Sequence, residues 1–424
     1  MAQYRITGKT PLHGELTVSG RKNAAIKMIA ASLLSEETVV LRRVPDIGDV
    51  RTMCEILRKM GATVDRQDDE VYAINTSGVR EPVIPAKLGH KLRASLVMVG
   101  PLLARFGKAE FPHPGGCVIG KRSIGPHLLA FERLGAKVEF DGELYHISST
   151  ALRGSEIYLP EATVTGTENL IMASTRAHGT TIIYNAAQEP HIVNLCDMLR
   201  EMGYDISGDG SSTVRINGRP DQVGLAADVE VIPDDIEVGT YAVASLVTQG
   251  DVTLNGVGGF KLLMPILAKL DEFNARYEYD AERQTLRLLP SPDLQGATIR
   301  PQPWPNFPTD LGSVFAILAT QAHGTSHVHE WMFEGRLTFL EQVQAMGADI
   351  LIADPHRAII EGPTALVRHS VITPDLRAGA ALILAALAAE GESVIEHVEL
   401  IERGYVRIDE KLRSIGASIV REED

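Results

Sequence analysis

A proline- and glycine-rich segment of the chain carries a cysteine whose neighbours favour reactivity. The segment covers residues 112–127 (PHPGGCVIGKRSIGPH), and its prolines and glycines predict a loop without regular structure. Cys117 lies in it, and Lys121 and Arg122 follow within reach. Cationic neighbours lower the pKa of a thiol and make it reactive. We therefore interpret Cys117 as a functional residue.

Lys22 and Asn23 lie in the segment SGRKNAAIKMIAASLL, where a strand-like run is followed by an alanine-rich helical pattern. This order places both residues at or near a helix N-terminus, where free N–H groups and the helix dipole favour an anion. A surface lysine beside a capping asparagine is the simpler interpretation of the same pattern. The residues alone leave both interpretations open.

Asp310 ends the motif NFPTD and precedes the apolar pattern LGSVFAILATQ. Its position predicts an N-cap for the helix that follows. A carboxylate at such a place is also suited to act as a general base. The sequence favours neither role over the other.

Three arginines stand in settings that are unusual for surface cations. Arg93 directly precedes an apolar helical pattern, Arg377 follows Asp375 by two residues, and Arg403 is followed by a glycine. The guanidinium group suits bidentate recognition of carboxylate or phosphate. We expect these arginines to converge on one cleft that holds an anionic substrate, since the chain has no glycine-rich nucleotide-binding fingerprint.

A repeated pattern must position these residues. The form apolar-x-x-apolar-Gly-Ala-x-apolar occurs with glycine at 61, 135, 203, 347 and 416, and a sixth copy has Asn274 in the glycine position. The copies are 68 to 74 residues apart. Each one reads as a helix C-cap that leads into a strand, and asparagine tolerates the positive φ that such a cap requires.

The first half of each repeat contains a second pattern, in which an Ala/Leu-rich run precedes a short turn and a β-rich run. ASTRAHGTTIIY and LAALAAEGESVI are examples, with strands predicted after Gly179 and Gly391. The apolar helices have little polar surface, so we expect them to be buried. The predicted arrangement places the helices inside a shell of sheets, with three repeats in each domain. A solenoid is less favoured, because solenoid repeats are usually shorter.

Composition and charge exclude several classes of protein. The 424 residues predict two or three domains, and the absence of a long apolar stretch predicts no membrane span. The net charge of −14 argues against nucleic acid or an anionic membrane as a partner.

Cys54 and Cys196 fit buried apolar positions, and three scattered cysteines argue against disulfides. No cysteine or histidine cluster has metal-ligand spacing. We expect a cytoplasmic protein without signal peptide, whose oligomeric state the sequence leaves open.

Motifs along nearly the whole chain, from about residue 4 to residue 420, resemble those of the enolpyruvyl transferase family, in particular its UDP-N-acetylglucosamine 1-carboxyvinyltransferases. They occur in the family's order and near its spacing: SGRKNAA, RAS with GPLLARFG, PGGCVIGKR, NAAQEP, PDDIEVGT, FPTD, FEGR, and DLRAGAAL with ERGY. The cysteine loop separates this branch from 5-enolpyruvylshikimate-3-phosphate synthase.

The resemblance implies a fold and a domain organisation. We expect an α/β (α+β) protein of two inside-out α/β barrel domains, each of three repeated units with helices inside and sheets outside. One discontinuous domain would comprise residues 1–21 and 232–424, and a second domain, residues 22–231, would carry the Cys117 loop.

The resemblance also implies a reaction without cofactor or metal. The enolpyruvyl (carboxyvinyl) group of phosphoenolpyruvate would pass to the 3-hydroxyl of UDP-N-acetylglucosamine with release of phosphate. This is the first committed step of peptidoglycan synthesis, and it serves cell wall biogenesis, cell shape and cell division. Cys117 would protonate the methylene carbon and be the target of fosfomycin, and Asp310 would take the proton of the sugar hydroxyl. Lys22, Arg122 and Arg403 would hold the phosphate and carboxylate of phosphoenolpyruvate.

The resemblance extends to the substrate-binding positions. Besides Lys22, Asp310, Arg122 and Arg403, these are Asn23, Arg93, Ser123, Ile124, Gly125, Pro126, Thr165, Gly166, Met332, Arg336, Asp375 and Arg377.

The chain departs from the family's pattern where the nucleotide is expected. After Arg122 the family's Pro-apolar-Asp-Leu-His run is Ser-Ile-Gly-Pro-His, so the acidic side chain is absent at Gly125. The family's Val-Gly-Ala-Thr is Val-Thr-Gly-Thr at residues 164–167, and its His-Ile-Asp-Arg-Gly is Leu-Ile-Glu-Arg-Gly at 400–404. Two alternatives therefore stay open: an enolpyruvyl transferase with another nucleotide or sugar acceptor, and a non-catalytic sugar-nucleotide-binding paralogue.

Overall fold

The structure, a computed structural model, describes residues 2–115 and 123–423. These residues form two compact units. The terminal unit consists of residues 2–19 and 233–423, and the middle unit consists of residues 20–115 and 123–232.

Helices of very different burial alternate along the chain. The α-helices of the described residues are α1 (Lys22–Ala31), α2 (Gly48–Lys59), α3 (Ala86–Lys91), α4 (Val99–Phe106), α5 (Gly125–Arg133), α6 (Val164–Ser174), α7 (Pro190–Glu201), α8 (Asp235–Val247), α9 (Phe260–Glu272), α10 (Gly312–Thr320), α11 (Leu340–Ala345), α12 (Leu376–Ala388) and α13 (Ile408–Ser414). Short 3-10 turns occur at Ser32–Leu34, Arg93–Met98, Thr309–Leu311 and Val398–Leu400.

The strands are short and belong to small sheets. In the described residues they are β1 (Ala2–Thr7), β2 (His13–Thr17), β3 (Thr38–Arg42), β4 (Thr63–Asp68), β5 (Val71–Asn75), β6 (Lys108–Pro112), β7 (Lys137–Phe140), β8 (Leu144–Ser148), β9 (Glu156–Tyr158), β10 (Gly179–Tyr184), β11 (Asp205–Ser207), β12 (Thr213–Gly218), β13 (Ala227–Glu230), β14 (Asp251–Asn255), β15 (Tyr277–Asp280), β16 (Thr285–Leu288), β17 (Thr298–Ile299), β18 (Gly324–His329), β19 (Asp349–Asp354), β20 (Arg357–Gly362), β21 (Ser370–Ile372), β22 (Glu392–Glu396) and β23 (Ser418–Glu423).

Three helices that are buried along almost their whole length form the centre of the terminal unit. They are α8, α10 and α12, and each of them contacts the other two. Three sheets surround them, with strand orders β21-β22-β1-β23, β15-β16-β14-β2 and β17-β18-β20-β19. Buried and exposed residues alternate along strands such as β18, so one face of each sheet covers the helices and the other meets solvent.

The middle unit follows the same plan around α1, α4 and α6. The 3-10 turn Arg93–Met98 contacts all three helices, and α4 packs on α6. The sheets of this unit have strand orders β13-β3-β5-β4, β11-β12-β10-β9 and β6-β8-β7. Helices α1 and α6, whose first turns carry the predicted site residues Lys22, Asn23, Thr165 and Gly166, are therefore anchored in the core of the unit.

The predicted fold class, with helices inside and sheets outside, is confirmed in each unit. The word barrel needs a correction, because the strands of the described residues are hydrogen-bonded into separate sheets of three or four strands and not into one closed sheet. In each four-stranded sheet one strand pair is parallel and two are antiparallel, so the repeats share one topology.

The repeated glycines have the predicted helix-cap conformation. Gly61, Gly135, Gly203, Gly347 and Gly416 have φ between 86° and 105°, and Asn274 has φ 55°. At positive φ an L-residue with a Cβ is strained, so these glycines fix the turn from helix to strand in each repeat.

Two of these glycines offer a matched test. A Cβ at Gly61 would lie 2.7 Å from the carbonyl oxygen of Gly78, whereas a Cβ at Gly135 would meet its nearest atom, the carbonyl oxygen of Ala151, at 4.0 Å. We expect Gly135→Ala to lower the free energy of unfolding by about 1–2 kcal/mol through backbone strain alone. Gly61→Ala should lower it further, because the close carbonyl must also move. Urea unfolding of both variants measures this, and equal losses would contradict the role of the close approach.

No helix within residues 2–115 and 123–423 combines the length and the apolar character needed to span a membrane.

Candidate active site

Helix α1 begins at Lys22, so Lys22 and Asn23 occupy its first turn as the sequence predicted. The N–H groups of a first turn lack partners inside the helix and favour an anion. The Nζ of Lys22 lies 2.8 Å from Oδ2 of Asp49, a buried residue in the first turn of α2. Asp49 was not among the predicted site residues, because one acidic residue at a helix start is a common capping pattern. Its carboxylate fixes the direction of the Lys22 side chain.

Helix α1 also carries a buried lysine that meets α6. The Nζ of Lys27 lies 3.4 Å from Oε2 of Glu168, and Nε2 of His191 lies 3.5 Å from Oε1 of the same carboxyl group. The side chain of Glu168 is 0% exposed and that of Lys27 is 4% exposed. Burial raises the pKa of Glu168 to about 7 and lowers the pKa of Lys27. This contact ties together the two helices that begin near Lys22 and Thr165.

The segment 112–127 is more regular than predicted at both ends. Pro112 is the last residue of β6, and α5 begins at Gly125 with Pro126 in its first turn. The prediction of irregular structure is wrong there, because proline in a first helical turn interrupts no hydrogen bond. The hydroxyl of Ser123 accepts a hydrogen bond from the N–H of Gly125 at 2.9 Å. Ser123 and Gly125 are exposed, and Ile124 is buried.

Several residues of the predicted nucleotide site lie together in the middle unit. A terminal nitrogen of Arg93 donates to the carbonyl of Ser123 at 3.4 Å. Thr165 and Gly166 lie in the first turn of α6, where the N–H of Gly166 donates to the hydroxyl of the N-cap Thr163 at 3.4 Å. The hydroxyl of Thr165 lies 3.2 Å from Nε2 of His127, a residue that was not predicted.

Two predicted residues, Cys117 and Arg122, lie outside the described residues. Their roles remain predictions from the sequence.

In the terminal unit the carboxylate of Asp310 faces two buried arginines. Its Oδ2 lies 3.0 Å from Nη2 of Arg377, and its Oδ1 lies 3.4 Å from Nη2 of Arg336. The predicted N-cap role of Asp310 is wrong, because α10 begins at Gly312 with Leu311 as its N-cap and no side chain caps it. Asp310 lies instead in the preceding 3-10 turn, which directs its carboxylate towards the arginines. We call Asp310, Arg336 and Arg377 the carboxylate–arginine cluster.

The helix α12 holds Arg377 in this cluster. Asp375 is its N-cap, and Oδ1 of Asp375 accepts from the N–H groups of Arg377 at 2.7 Å and of Ala378 at 3.1 Å. The guanidinium of Arg377 lies 5.3 Å from the centroid of the Tyr405 ring. Although burial opposes it, the carboxylate of Asp310 raises the pKa of Arg377, so this guanidinium is charged.

A buried glutamate holds the loop that carries Met332. The Oε1 of Glu330 accepts from the N–H groups of Met332 at 3.0 Å and of Phe333 at 3.3 Å. Glu330 is 1% exposed, and this burial raises its pKa. The side chain of Met332 is 39% exposed and accessible to a ligand. Glu330 was missed because a single acidic residue after a strand gives no sequence signal.

Arg403 lies in the turn between the 3-10 turn Val398–Leu400 and α13, and it is half-buried. It precedes Tyr405, the ring that packs on Arg377, by two residues. The chain therefore places Arg403 in the neighbourhood of the carboxylate–arginine cluster.

The predicted residues that the structure describes are thus divided between the two units. The group of the middle unit presents an ammonium group, a guanidinium group and two helix N-termini, all of which favour anionic oxygen. The group of the terminal unit presents a carboxylate between guanidinium groups, an arrangement that can accept a proton beside a bound anion. Within residues 2–115 and 123–423 no three His, Cys, Asp or Glu side chains are grouped as for a metal ion.

The chain is similar over its whole length to known proteins. The family described as EPSP synthase (3-phosphoshikimate 1-carboxyvinyltransferase) matches residues 6–412. Two relatives are named UDP-N-acetylglucosamine 1-carboxyvinyltransferase. The one from Treponema denticola is 41% identical with 100% of both chains covered, and the one from Wolinella succinogenes is 41% identical with 98% of both covered.

Solved structures of similar fold include the enolpyruvyl transferase NikO from Streptomyces tendae. The TM-score is 0.88 at 25% identity, over 99% of this chain and 98% of that one. An EPSP synthase from Acinetobacter baumannii has a TM-score of 0.77 at 19% identity over 100% of both chains, which is a likeness of fold alone.

Proposed function

The chain belongs to the EPSP synthase family and, within it, to the UDP-N-acetylglucosamine 1-carboxyvinyltransferases, and from this we propose that it transfers the enolpyruvyl group of phosphoenolpyruvate to UDP-N-acetylglucosamine. The bond forms at the 3-hydroxyl of the sugar, and inorganic phosphate is released.

The carboxylate–arginine cluster is the observation that carries this proposal. Asp310 does not cap α10, its carboxylate contacts two arginines, and both arginines are buried. The guanidinium groups hold the carboxylate in one position, where it is suited to act as a general base. They also favour a negatively charged substrate beside it.

In the reaction Asp310 takes the proton of the 3-hydroxyl while the oxygen bonds to C2 of phosphoenolpyruvate. The thiol of Cys117 gives a proton to C3, and a tetrahedral ketal results. The Cys117 thiolate then takes a proton from C3, the carbon–carbon double bond re-forms, and the C2–O bond to phosphate breaks, with the proton held by Asp310 leaving on the released phosphate. Alcohol and phosphoenolpyruvate are thereby converted to an enol ether and inorganic phosphate, with no oxidant or reductant required.

The cationic residues bind the substrates. Lys22, whose direction is fixed by Asp49, acts with Arg122 and Arg403 on the phosphate and carboxylate of phosphoenolpyruvate. Asn23, beside Lys22 in the first turn of α1, hydrogen-bonds the sugar near the reacting centre. Ammonium and guanidinium groups suit these anions because each supplies several charged donors.

The remaining predicted residues bind the acceptor. In the middle unit these are Arg93, Ser123, Ile124, Gly125, Pro126, Thr165 and Gly166, and in the terminal unit they are Met332, Arg336, Asp375 and Arg377. Most departures from the family's pattern fall among these residues. Another acceptor and a non-catalytic role are both less favoured, because relatives named for this acceptor match the full chain at 38–41% identity.

The product feeds peptidoglycan synthesis, and through it cell shape and cell division. The cytoplasm is the proposed location, and the buried free thiols of Cys54 and Cys196 support a reducing compartment.

Phosphate release from phosphoenolpyruvate tests the proposed function. We expect release with UDP-N-acetylglucosamine and none with UMP or shikimate 3-phosphate. Release with another acceptor alone would keep the reaction class and overturn the acceptor. No release with any of them would overturn the enzymatic function.

Cys117→Ser is expected to abolish covalent labelling by fosfomycin, because an alcohol is a much weaker nucleophile than a thiolate. Intact-protein mass spectrometry measures the label. Cys54→Ala is the matched control and should keep the label, since burial raises the pKa of the Cys54 thiol to about 11. Labelling that persists in Cys117→Ser would mean that another residue is the reactive nucleophile.

A further inference from the structure

A buried histidine of the middle unit contacts one of the proposed acceptor-binding residues. His127, in the first turn of α5, is 3% exposed. Its Nε2 lies 3.2 Å from Oγ1 of Thr165, and its Nδ1 lies 3.1 Å from Nδ2 of Asn169. The reaction described above assigns no role to His127 or Asn169.

The partners of Asn169 determine which nitrogen of His127 carries the hydrogen. The Oδ1 of Asn169 accepts from the N–H of Gly100 at 2.7 Å, so its amide nitrogen faces the opposite way. That nitrogen donates to the carbonyl of Leu96 at 3.0 Å and to Nδ1 of His127. If the Asn169 amide were flipped, its nitrogen would face the N–H of Gly100 and its oxygen would face the carbonyl of Leu96, so neither hydrogen bond could form. The Nδ1 of His127 is therefore the acceptor.

A neutral imidazole with Nδ1 as acceptor carries its hydrogen on Nε2. The Nε2–H group then donates to Oγ1 of Thr165. Burial, together with the charge of Arg93, lowers the pKa of His127 to about 3, so the ring stays neutral at physiological pH. The direction of this hydrogen bond is thus constant.

We propose that His127 is a positioning residue that orients the hydroxyl of Thr165 as a hydrogen-bond donor to an oxygen of the acceptor's diphosphate. Accepting from His127 leaves the hydrogen of Thr165 to be donated elsewhere. Thr165 is half-buried in the first turn of α6, a helix of eleven residues whose N-terminus favours anionic oxygen. A glycine at this position would supply only its backbone, so the Thr165 hydroxyl is an additional contact of this chain.

The inference rests on the proposed function, because the diphosphate belongs to UDP-N-acetylglucosamine. Thr165→Val should raise the KM for this substrate roughly 10-fold, the loss expected for a hydrogen bond to a charged group. The KM for phosphoenolpyruvate and kcat should change much less. Thr165→Ser retains a hydroxyl and should recover most of the affinity that the valine loses.

Two substitutions of His127 separate its contacts. The amide of Asn takes the place of the ring's Nδ1, so His127→Asn keeps the contact with Asn169 and loses the one with Thr165. The amide of Gln reaches the place of Nε2, so His127→Gln keeps a donor to Thr165. We expect His127→Asn to raise the KM for UDP-N-acetylglucosamine about as much as Thr165→Val, and His127→Gln to raise it less.

The double variant His127→Asn/Thr165→Val gives the decisive comparison. If His127 acts through Thr165, the double variant should match Thr165→Val alone, because the contact is already lost. If the double variant instead raises the KM by the product of the two single-variant factors, the inference is overturned and His127 is a structural residue. Calorimetric titration with UDP-N-acetylglucosamine measures the same affinities without turnover. Wild-type protein that neither binds nor converts UDP-N-acetylglucosamine would overturn both the inference and the proposed function. An active wild type whose two substitutions multiply their effects on the KM would overturn the inference alone.

Discussion

Asp310→Asn is expected to lower kcat by about 10²–10⁴-fold, the usual loss when a general base is removed. The amide keeps the shape of the side chain beside Arg336 and Arg377 but cannot take the proton of the sugar hydroxyl. Steady-state phosphate release measures this loss.

A second carboxyl group in the same neighbourhood provides the control. Glu330 is buried, and its Oε1 accepts hydrogen bonds from the N–H groups of Met332 and Phe333. Its structural role predicts that Glu330→Gln lowers kcat far less than Asp310→Asn does. A larger loss of kcat in Glu330→Gln than in Asp310→Asn would transfer the role of the base to Glu330.

Glu168→Gln is expected to remove a large pH dependence of stability. Burial raises the pKa of Glu168 from 4.5 to about 7, so between these values the folded state binds more protons than the unfolded state. The free energy of unfolding therefore falls as the pH rises from 4.5 to 7, by about 3 kcal/mol from this group. Glutamine does not titrate, so the free energy of unfolding of Glu168→Gln should rise relative to that of wild type by about 3 kcal/mol as the pH rises from 4.5 to 7.

Urea unfolding at a series of pH values tests this expectation, since carboxyl groups common to both proteins cancel in the difference. The titratable groups that face Glu168 are Lys27 and His191, with Glu189 and Arg21 acting through their charges. Lys27→Met removes the cation that lowers the pKa of Glu168 in the folded state, so the fall in stability should still begin near pH 4.5 but extend to higher pH. If the difference in free energy of unfolding between wild type and Glu168→Gln does not change between pH 4.5 and pH 7, Glu168 is ionised in the folded state over this whole range.

Several site residues took their roles from partners that are distant in the chain. The local pattern of Asp310 predicts an N-cap, but the structure pairs it with Arg336 and Arg377. His127 ends the run that follows Arg122 but was not among the predicted site residues, and its contact with Thr165 arises only because α5 packs on α6. Asp49 and Glu330 likewise become recognisable only through Lys22 and Met332.

The sequence by itself determined the repeats, the buried helices, the glycine and asparagine caps at the helix C-termini and the family. These features depend on local physics: a glycine or asparagine such as Asn274 supplies a positive φ wherever it stands, and an Ala/Leu-rich run is buried in any fold. The motifs also indicated the reaction and most residues of the proposed site.

The tertiary structure alone decided which charges meet. It buried Lys27 with Glu168, gave the Asp310 carboxylate two guanidinium partners, and fixed the ring of His127. Ion pairs and hydrogen bonds between residues far apart in the chain require packed helices to bring them within about 3 Å, and no short segment of sequence encodes that distance.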